Sequence, residues 1–239
     1  MWKYAFTKFL KNPFGTLRRA LQKKVIGPLK YGRGRGYDAE AYWRDRFARY
    51  GLSLRGAGDE GLSEEQNRQE YRKVGELFLS LCRDEKIDLA SADVAEIGVG
   101  TGFYTGILHG AGARKYTGYD ITDVLFPQLR QSFGGYQFIQ QDVTSVPLGK
   151  QYDLIVMMDV VEHIVEESRL AAAMQHVKEA LKPGGVLILS GVLKESRRYL
   201  FYVHAWTAQD ILKHFAGFRW KGPIPYRSNY ALVIRKAES

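Results

Sequence analysis

Three glycines at alternate positions follow a carboxylate in Glu96-Ile-Gly-Val-Gly-Thr-Gly102. Gly98, Gly100 and Gly102 carry no Cβ, so a ligand can lie directly against their backbone. A helix starting just beyond them would turn its unpaired N–H groups toward that ligand. A dinucleotide fingerprint needs G-x-G-x-x-G. Counted from Gly98, its third glycine is replaced by Phe103; counted from Gly100, by Thr105. Neither frame fits. Glu96 would also repel a pyrophosphate, whereas it suits a ligand with a cationic end.

Two further acids extend the pattern. Asp120 stands about 20 residues after the first glycine, where a carboxylate accepts both hydroxyls of a ribose. Asp142, in Gln-Gln-Asp-Val-Thr-Ser, is placed to receive an adenine amino group. A ribose, an adenine and a positively charged end together describe S-adenosylmethionine. A helix cap or a surface charge is the alternative reading of each acid.

These residues need a frame to hold them. Strands are expected near 93–97, 115–120, 136–140, 152–158 and 184–191, with helices from about 103, up to 133 and near 167–181. Apolar strands alternating with helices make a parallel sheet covered on both faces. Residues 217–222 and 230–235 lack a helix between them and are expected to close the sheet as a hairpin, one strand running antiparallel. Ahead of the first strand, Ala39–Gly51 reads as a helix rich in aromatics. Ser63 with Gln66 opens another as a capping box, running to about Arg83. The ligand site of such a sheet lies beyond the C-terminal strand ends, where Gly98, Asp120, Asp142 and Asp159 all fall.

At this point the chain resembles a class I S-adenosylmethionine-dependent methyltransferase. The residues that carry the likeness are Glu96–Gly102, Asp120, Asp142-Val143, Tyr152–Ile164 (YDLIVMMDVVEHI) and Leu181–Ser190 (LKPGGVLILS). It spans roughly residues 70–236. It implies an α/β fold, a doubly wound, seven-stranded, mostly parallel, Rossmann-like sheet. The domains are then a basic amphipathic extension at 1–36 and a methyltransferase domain at 37–239. It further implies that Glu96 holds the methionine end of the cofactor and Gly98, Gly100 and Gly102 form its cradle. Asp120 would bind the ribose, Ile121 would lie against the adenine with Asp142 and Val143, and Asp159 would face the reacting methyl region.

A methyl acceptor that is a hydroxyl must also lose a proton. Asp159, Glu162 and His163 follow the fourth strand, and His163 is the candidate general base. His163 packed in a helix start, without chemistry, is the plainer reading. With His204, this set also resembles the metal-binding residues of small-RNA 2′-O-methyltransferases, although Asp159 stands where those enzymes carry Glu. Our reading assigns no metal. The segment before Thr207 offers Arg197, Arg198 and Tyr202 as acceptor-binding residues. Paired arginines suit an anionic group and the aromatics suit a ring; a hydrophobic lid with solvated arginines is the alternative.

Charge narrows the partners. Residues 1–36 hold ten Lys and Arg and no acid, while the rest of the 239-residue chain is close to neutral. A body without a basic groove argues against nucleic acid. In the tail, Trp2, Phe6, Phe9 and Leu10 form one helical stripe, and Leu17, Leu21 and Val25 another, among basic residues. Such pieces lie on anionic membrane surfaces. The single cysteine, Cys82, permits no internal disulfide, and the lysines near the N-terminus interrupt any secretory signal core. The expectation is a cytoplasmic protein, peripheral on the inner face of the membrane where the tail engages it. Its acceptor is expected to be a small molecule, a glycan or a lipid-linked compound, methylated at a hydroxyl oxygen. An RNA methyltransferase and a non-catalytic binding protein on the same fold are the competing readings. Oligomeric state is not encoded in any of these features.

Overall fold

The computed structural model describes residues 13–238. The stripe Trp2, Phe6, Phe9 and Leu10 lies outside them.

Seven strands make one sheet in the order β10-β11-β7-β6-β3-β4-β5. They are β3 (Asp93–Ile97), β4 (Lys115–Asp120), β5 (Gln137–Gln140), β6 (Tyr152–Met157), β7 (Leu181–Val192), β10 (Arg219–Tyr226) and β11 (Asn229–Arg235). β5, β4, β3, β6 and β7 run parallel, and β11 inserts antiparallel between β7 and β10. The expected doubly wound, mostly parallel sheet and its antiparallel closure are both present.

Strand residues alternate between two cores, as a period of two requires. Val94, Leu154, Val156, Val186 and Ile188 face Phe78, Tyr104, Leu108 and Leu129. Those four come from α5 (Glu64–Asp84), α6 (Phe103–Gly110) and α7 (Phe126–Ser132). Ala95, Ile97, Ile155, Met157, Leu187 and Leu189 face the opposite way. There they meet Leu170, Met174 and Val177 of α8 (Glu167–Ala180) and Ile211 of α9 (Ala208–Leu212). The central strands β3, β6 and β7 are therefore covered on both faces, while the edge strands β5 and β10 stay largely exposed.

The N-terminal part builds a cover. α1 (Pro13–Leu21), a π-helical turn (Gln22–Ile26) and α2 (Gly27–Tyr31) follow one another in right-handed helical backbone. The glycine-rich stretch Tyr31–Asp38 forms a small hairpin of β1 (Gly32–Arg33) and β2 (Gly36–Tyr37). Gly34 takes the turn at φ +55°, and Tyr31 and Tyr37 are buried beside it. α3 (Ala39–Tyr50) starts at Asp38, whose side chain accepts the Ala41 N–H, and α4 (Leu54–Ala57) follows. The predicted capping box at Ser63 and Gln66 is made in both directions. Arg46 is buried between these pieces and donates to Tyr42 Oη and to the carbonyls of Gly56 and Gly58. A second hairpin, β8 (Arg197–Leu200) and β9 (Val203–Ala205), lies across the same end.

Candidate active site

A cavity of about 1090 Å³, its open mouth included, sits at the C-terminal ends of β3, β4 and β6. Its floor is the β3–α6 turn, the Asp120–Ile121 turn, Asp142–Thr144 and Asp159. Its cover is Tyr37, Trp43, Phe47 and Tyr71 from the N-terminal segments.

The glycines divide the work. All three have positive φ, +78° at Gly98, +52° at Gly100 and +79° at Gly102. A Cβ on Gly98 would collide with Val160, and one on Gly102 with Leu129. At Gly100 the nearest atom would be Phe47 Cζ at 3.6 Å, so that position opens into the cavity. Gly102 does not reach the cavity; it caps α6 in a left-handed conformation. Gly98 and Gly102 are thus needed by the packing, and Gly100 keeps space for a ligand.

Asp120 is buried at the cavity wall. Its Oδ2 accepts the Gly100 N–H at 2.8 Å and its Oδ1 the Thr122 N–H at 3.1 Å. Burial raises its carboxyl to about 6, against the pull of those backbone donors. Asp142 also lines the cavity, with Ile121 and Val143. Its Oδ1 accepts the Thr144 N–H at 2.9 Å and hydroxyl at 2.7 Å, and its Oδ2 pairs with Arg169 of α8.

Glu96 is placed elsewhere. It is on the strand face opposite Ile97, fully buried, and accepts Thr105 Oγ1 at 2.9 Å and Tyr116 Oη at 2.6 Å. Burial pushes its carboxyl up to about 8, so it holds a proton at neutral pH. It does not line the cavity, contrary to the expectation that it holds the methionine end of the cofactor. Two buried hydroxyls reach it first.

Asp159 is at the cavity, in a left-handed turn of φ +55° just past β6. Its Oδ2 takes Tyr226 Oη at 2.8 Å and Arg227 Nη1 at 3.0 Å, and its Oδ1 takes Ser190 Oγ at 3.1 Å. Tyr226 Oη in turn meets Tyr104 Oη at 2.6 Å. Beside it, Glu162 Oε2 is buried without a partner, and burial followed by the Asp159 charge holds that carboxyl well above its ordinary range.

His163 lines the cavity edge-on to Trp43, ring centroids 4.8 Å apart. Its Nδ1 is 2.9 Å from the Tyr202 carbonyl, which can only accept. The proton is therefore on Nδ1 and the lone pair on Nε2. Burial lowers this imidazole to about 4, so it is neutral at pH 7.

The other expected acceptor contacts do not reach the cavity. Arg198 donates to the carbonyls of Leu200, Phe201 and Arg35, and Arg197 lies over the Tyr199 ring. Tyr202 is buried, stacked on Tyr42 at 4.6 Å. His204 stacks on Trp206 at 3.9 Å and meets Ser196. Among the described residues, no cluster of His, Cys, Asp and Glu is arranged to hold a metal ion. The four-residue metal set, His204 included, is not assembled. Sequence reasoning missed Arg169, Arg227, Tyr226 and the aromatic cover, because each arrives from a distant segment with no spacing to betray it.

Residues 94–185 match a family model described as a methyltransferase domain. The sheet order and the glycine turn agree with that match. Residues 94–185 are a methyltransferase domain on the fold of the class I S-adenosylmethionine-dependent methyltransferases. The chain is similar to the ubiquinone biosynthesis O-methyltransferase of Pseudomonas putida F1, 27% identical over 136 residues, 54% of this chain and 56% of that protein. It is also similar to the polyketide synthase component of compactin nonaketide synthase from Penicillium citrinum, 30% identical over 137 residues, 50% of this chain and 4% of that protein. The chain thus spans about half the length of the ubiquinone-biosynthesis relatives it matches. Magnesium protoporphyrin IX methyltransferase from Synechocystis PCC 6803, solved with bound S-adenosylhomocysteine, shares the fold. The TM-score is 0.64 at 20% identity, over 83% of this chain and 100% of that one. N-methyltransferase NodS from Bradyrhizobium japonicum WM9 does so at TM-score 0.57 and 17% identity, over 80% of this chain and 98% of that one. Methyltransferases of nitrogen and of oxygen acceptors are both in this company.

Proposed function

We propose that this protein transfers a methyl group from S-adenosylmethionine to a hydroxyl oxygen of a small-molecule, glycan or lipid-linked acceptor. The observation that carries the reading is the Gly100–Asp120 wall: an open position without a Cβ, beside a buried carboxylate, at a strand end. When bound, S-adenosylmethionine supplies a methyl already activated on a sulfonium. Asp120 would hold the ribose hydroxyls, Ile121 and Val143 would flank the adenine, and Asp142 would take its amino group.

What remains of the cavity belongs to the acceptor. Trp43, Phe47, Tyr71, Phe103 and Tyr104 give it an aromatic wall, suited to a ring or a sugar face. His163 Nε2 offers a lone pair there. A hydroxyl that gains a methyl becomes strongly acidic, so a weak neutral base suffices to take its proton. Asp159, held by Ser190, Tyr226 and Arg227, fixes the charge at the methyl-transfer end without needing to move. The aromatic wall supports an uncharged acceptor better than an anionic one, since Arg197 and Arg198 are turned to other partners.

Calorimetric titration with S-adenosylhomocysteine tests the cofactor half. Labelled S-adenosylmethionine, offered with phenolic, glycan and lipid-linked acceptors, tests the other. A folded protein that binds no S-adenosylhomocysteine would remove the enzymatic reading and leave a binding protein on this fold.

A further inference from the structure

The helical rod 13–31 carries an apolar stripe that the domain does not cover. Phe14 and Leu29 are 85% and 82% exposed, and Leu17, Leu21, Val25 and Ile26 are exposed between them. Phe14, Leu17, Leu21 and Val25 recur at helical spacing. The rod is not loose. Its buried residues Gly27 and Tyr31 face inward, Gly27 against Phe201 and Tyr31 parallel to the same ring at 6.2 Å. Tyr31 Oη and Lys30 both reach Asp45, at 2.7 Å and 2.6 Å, and Lys23 pairs with Glu60 at 3.0 Å. One side is fastened to the cover and the other is left to solvent.

We propose that this outer side lies in the headgroup layer of an anionic lipid bilayer. Water does not favour so long an apolar stripe. A second copy of the chain would bring Arg18 and Lys24 against their own kind, because residues 1–36 contain no acid to alternate with them. A negatively charged bilayer satisfies both the stripe and the bases that flank it. No helix among the described residues is long and apolar enough to cross a membrane, so the contact is in the plane of the surface. The rod joins, through the β1–β2 hairpin, the same segment that supplies Tyr37 and Trp43 to the cavity. Resting on the methyl-transfer reading, this docking narrows the acceptor to a molecule presented at the bilayer surface.

The test is flotation of the full chain with vesicles of phosphatidylcholine alone or mixed with phosphatidylglycerol. We expect binding to the mixed vesicles, weakened by salt, and an at least tenfold loss in the variant Leu17→Glu, Leu21→Glu, Val25→Glu. S-adenosylhomocysteine affinity of that variant stays unchanged, which shows that it folds. Equal partitioning of both forms overturns the proposal. So does a wild-type protein that ignores vesicles and self-associates through the stripe. Vesicle binding without S-adenosylhomocysteine binding would reject the methyl-transfer reading and leave the docking standing.

Discussion

Asp120 Oδ2 accepts the Gly100 N–H at 2.8 Å, so the acid at the end of β4 holds the glycine turn at the end of β3. One carboxylate thus shapes the cradle and faces the cavity. Asp120→Ala should weaken S-adenosylhomocysteine binding at least tenfold, about 1.4 kcal/mol or more, through lost charge-assisted bonds. Calorimetry reads it directly. In the wild type, affinity should fall as pH drops through about 6, where the carboxyl gains its proton. An affinity flat across that range would separate Asp120 from the ligand.

The three glycines should respond differently to alanine. Gly98→Ala and Gly102→Ala collide with Val160 and Leu129 in a strained backbone and should each cost about 1–3 kcal/mol of stability. Gly100→Ala meets no close atom, and only its φ costs it, about 1–2 kcal/mol. It should stay folded and lose the cofactor. Chemical denaturation beside ligand titration would sort the three; equal ligand affinity in Gly100→Ala would contradict the division.

His163 should act as a neutral group. Its imidazole is lowered to about 4 by burial, so turnover should show no acid limb from this residue until pH nears that value. His163→Gln should reduce kcat on the order of 10²-fold or more while S-adenosylhomocysteine affinity changes little. If kcat is kept and only stability falls, His163 is a packing residue against Trp43 and Tyr202.

Arg227 and Asp159 are each largely shielded from solvent and pair at 3.0 Å. Arg227→Ala leaves that carboxylate without its cation and should cost about 3 kcal/mol. Removing both, with Asp159→Asn added, should recover part of the loss. Urea midpoints of each single variant, the double variant and the wild type check this. Two additive losses would show the pair to be uncoupled.

Glu96 sets a pH trend in stability. Its carboxyl is at about 8 folded against 4.5 in its ordinary state, so the native protein binds this proton more tightly. Stability from this group is full below 4.5 and is lost as pH rises through about 8. The slope is on the order of 1 kcal/mol per pH unit in that window. Glu96→Gln should flatten it with little change at the acid end. Thermal unfolding across that window measures both, and parallel curves would show that Glu96 does not titrate there.

The order of strands and helices along the chain was legible because the central strands are apolar and the main helices show their own period. Gly98, Gly100, Asp120, Asp142, Asp159 and His163 line the cavity as their places at or just past strand ends imply, and Ile121 and Val143, implied by the family resemblance, line it too. Those signals are local and the chain alone determines them. What the acids do was decided by tertiary structure. Glu96 looked like a ligand-facing carboxylate, but strand alternation turns it away from Ile97's side, and Thr105 and Tyr116 meet it there. Arg198 and His204 looked available until a hairpin gave them backbone and ring partners. Trp43, Phe47, Tyr71 and Arg169 come to the cavity, and Arg227 to Asp159 at its edge, from segments far apart in sequence. No spacing records such meetings, because they depend on how buried polar groups find partners once the layers close.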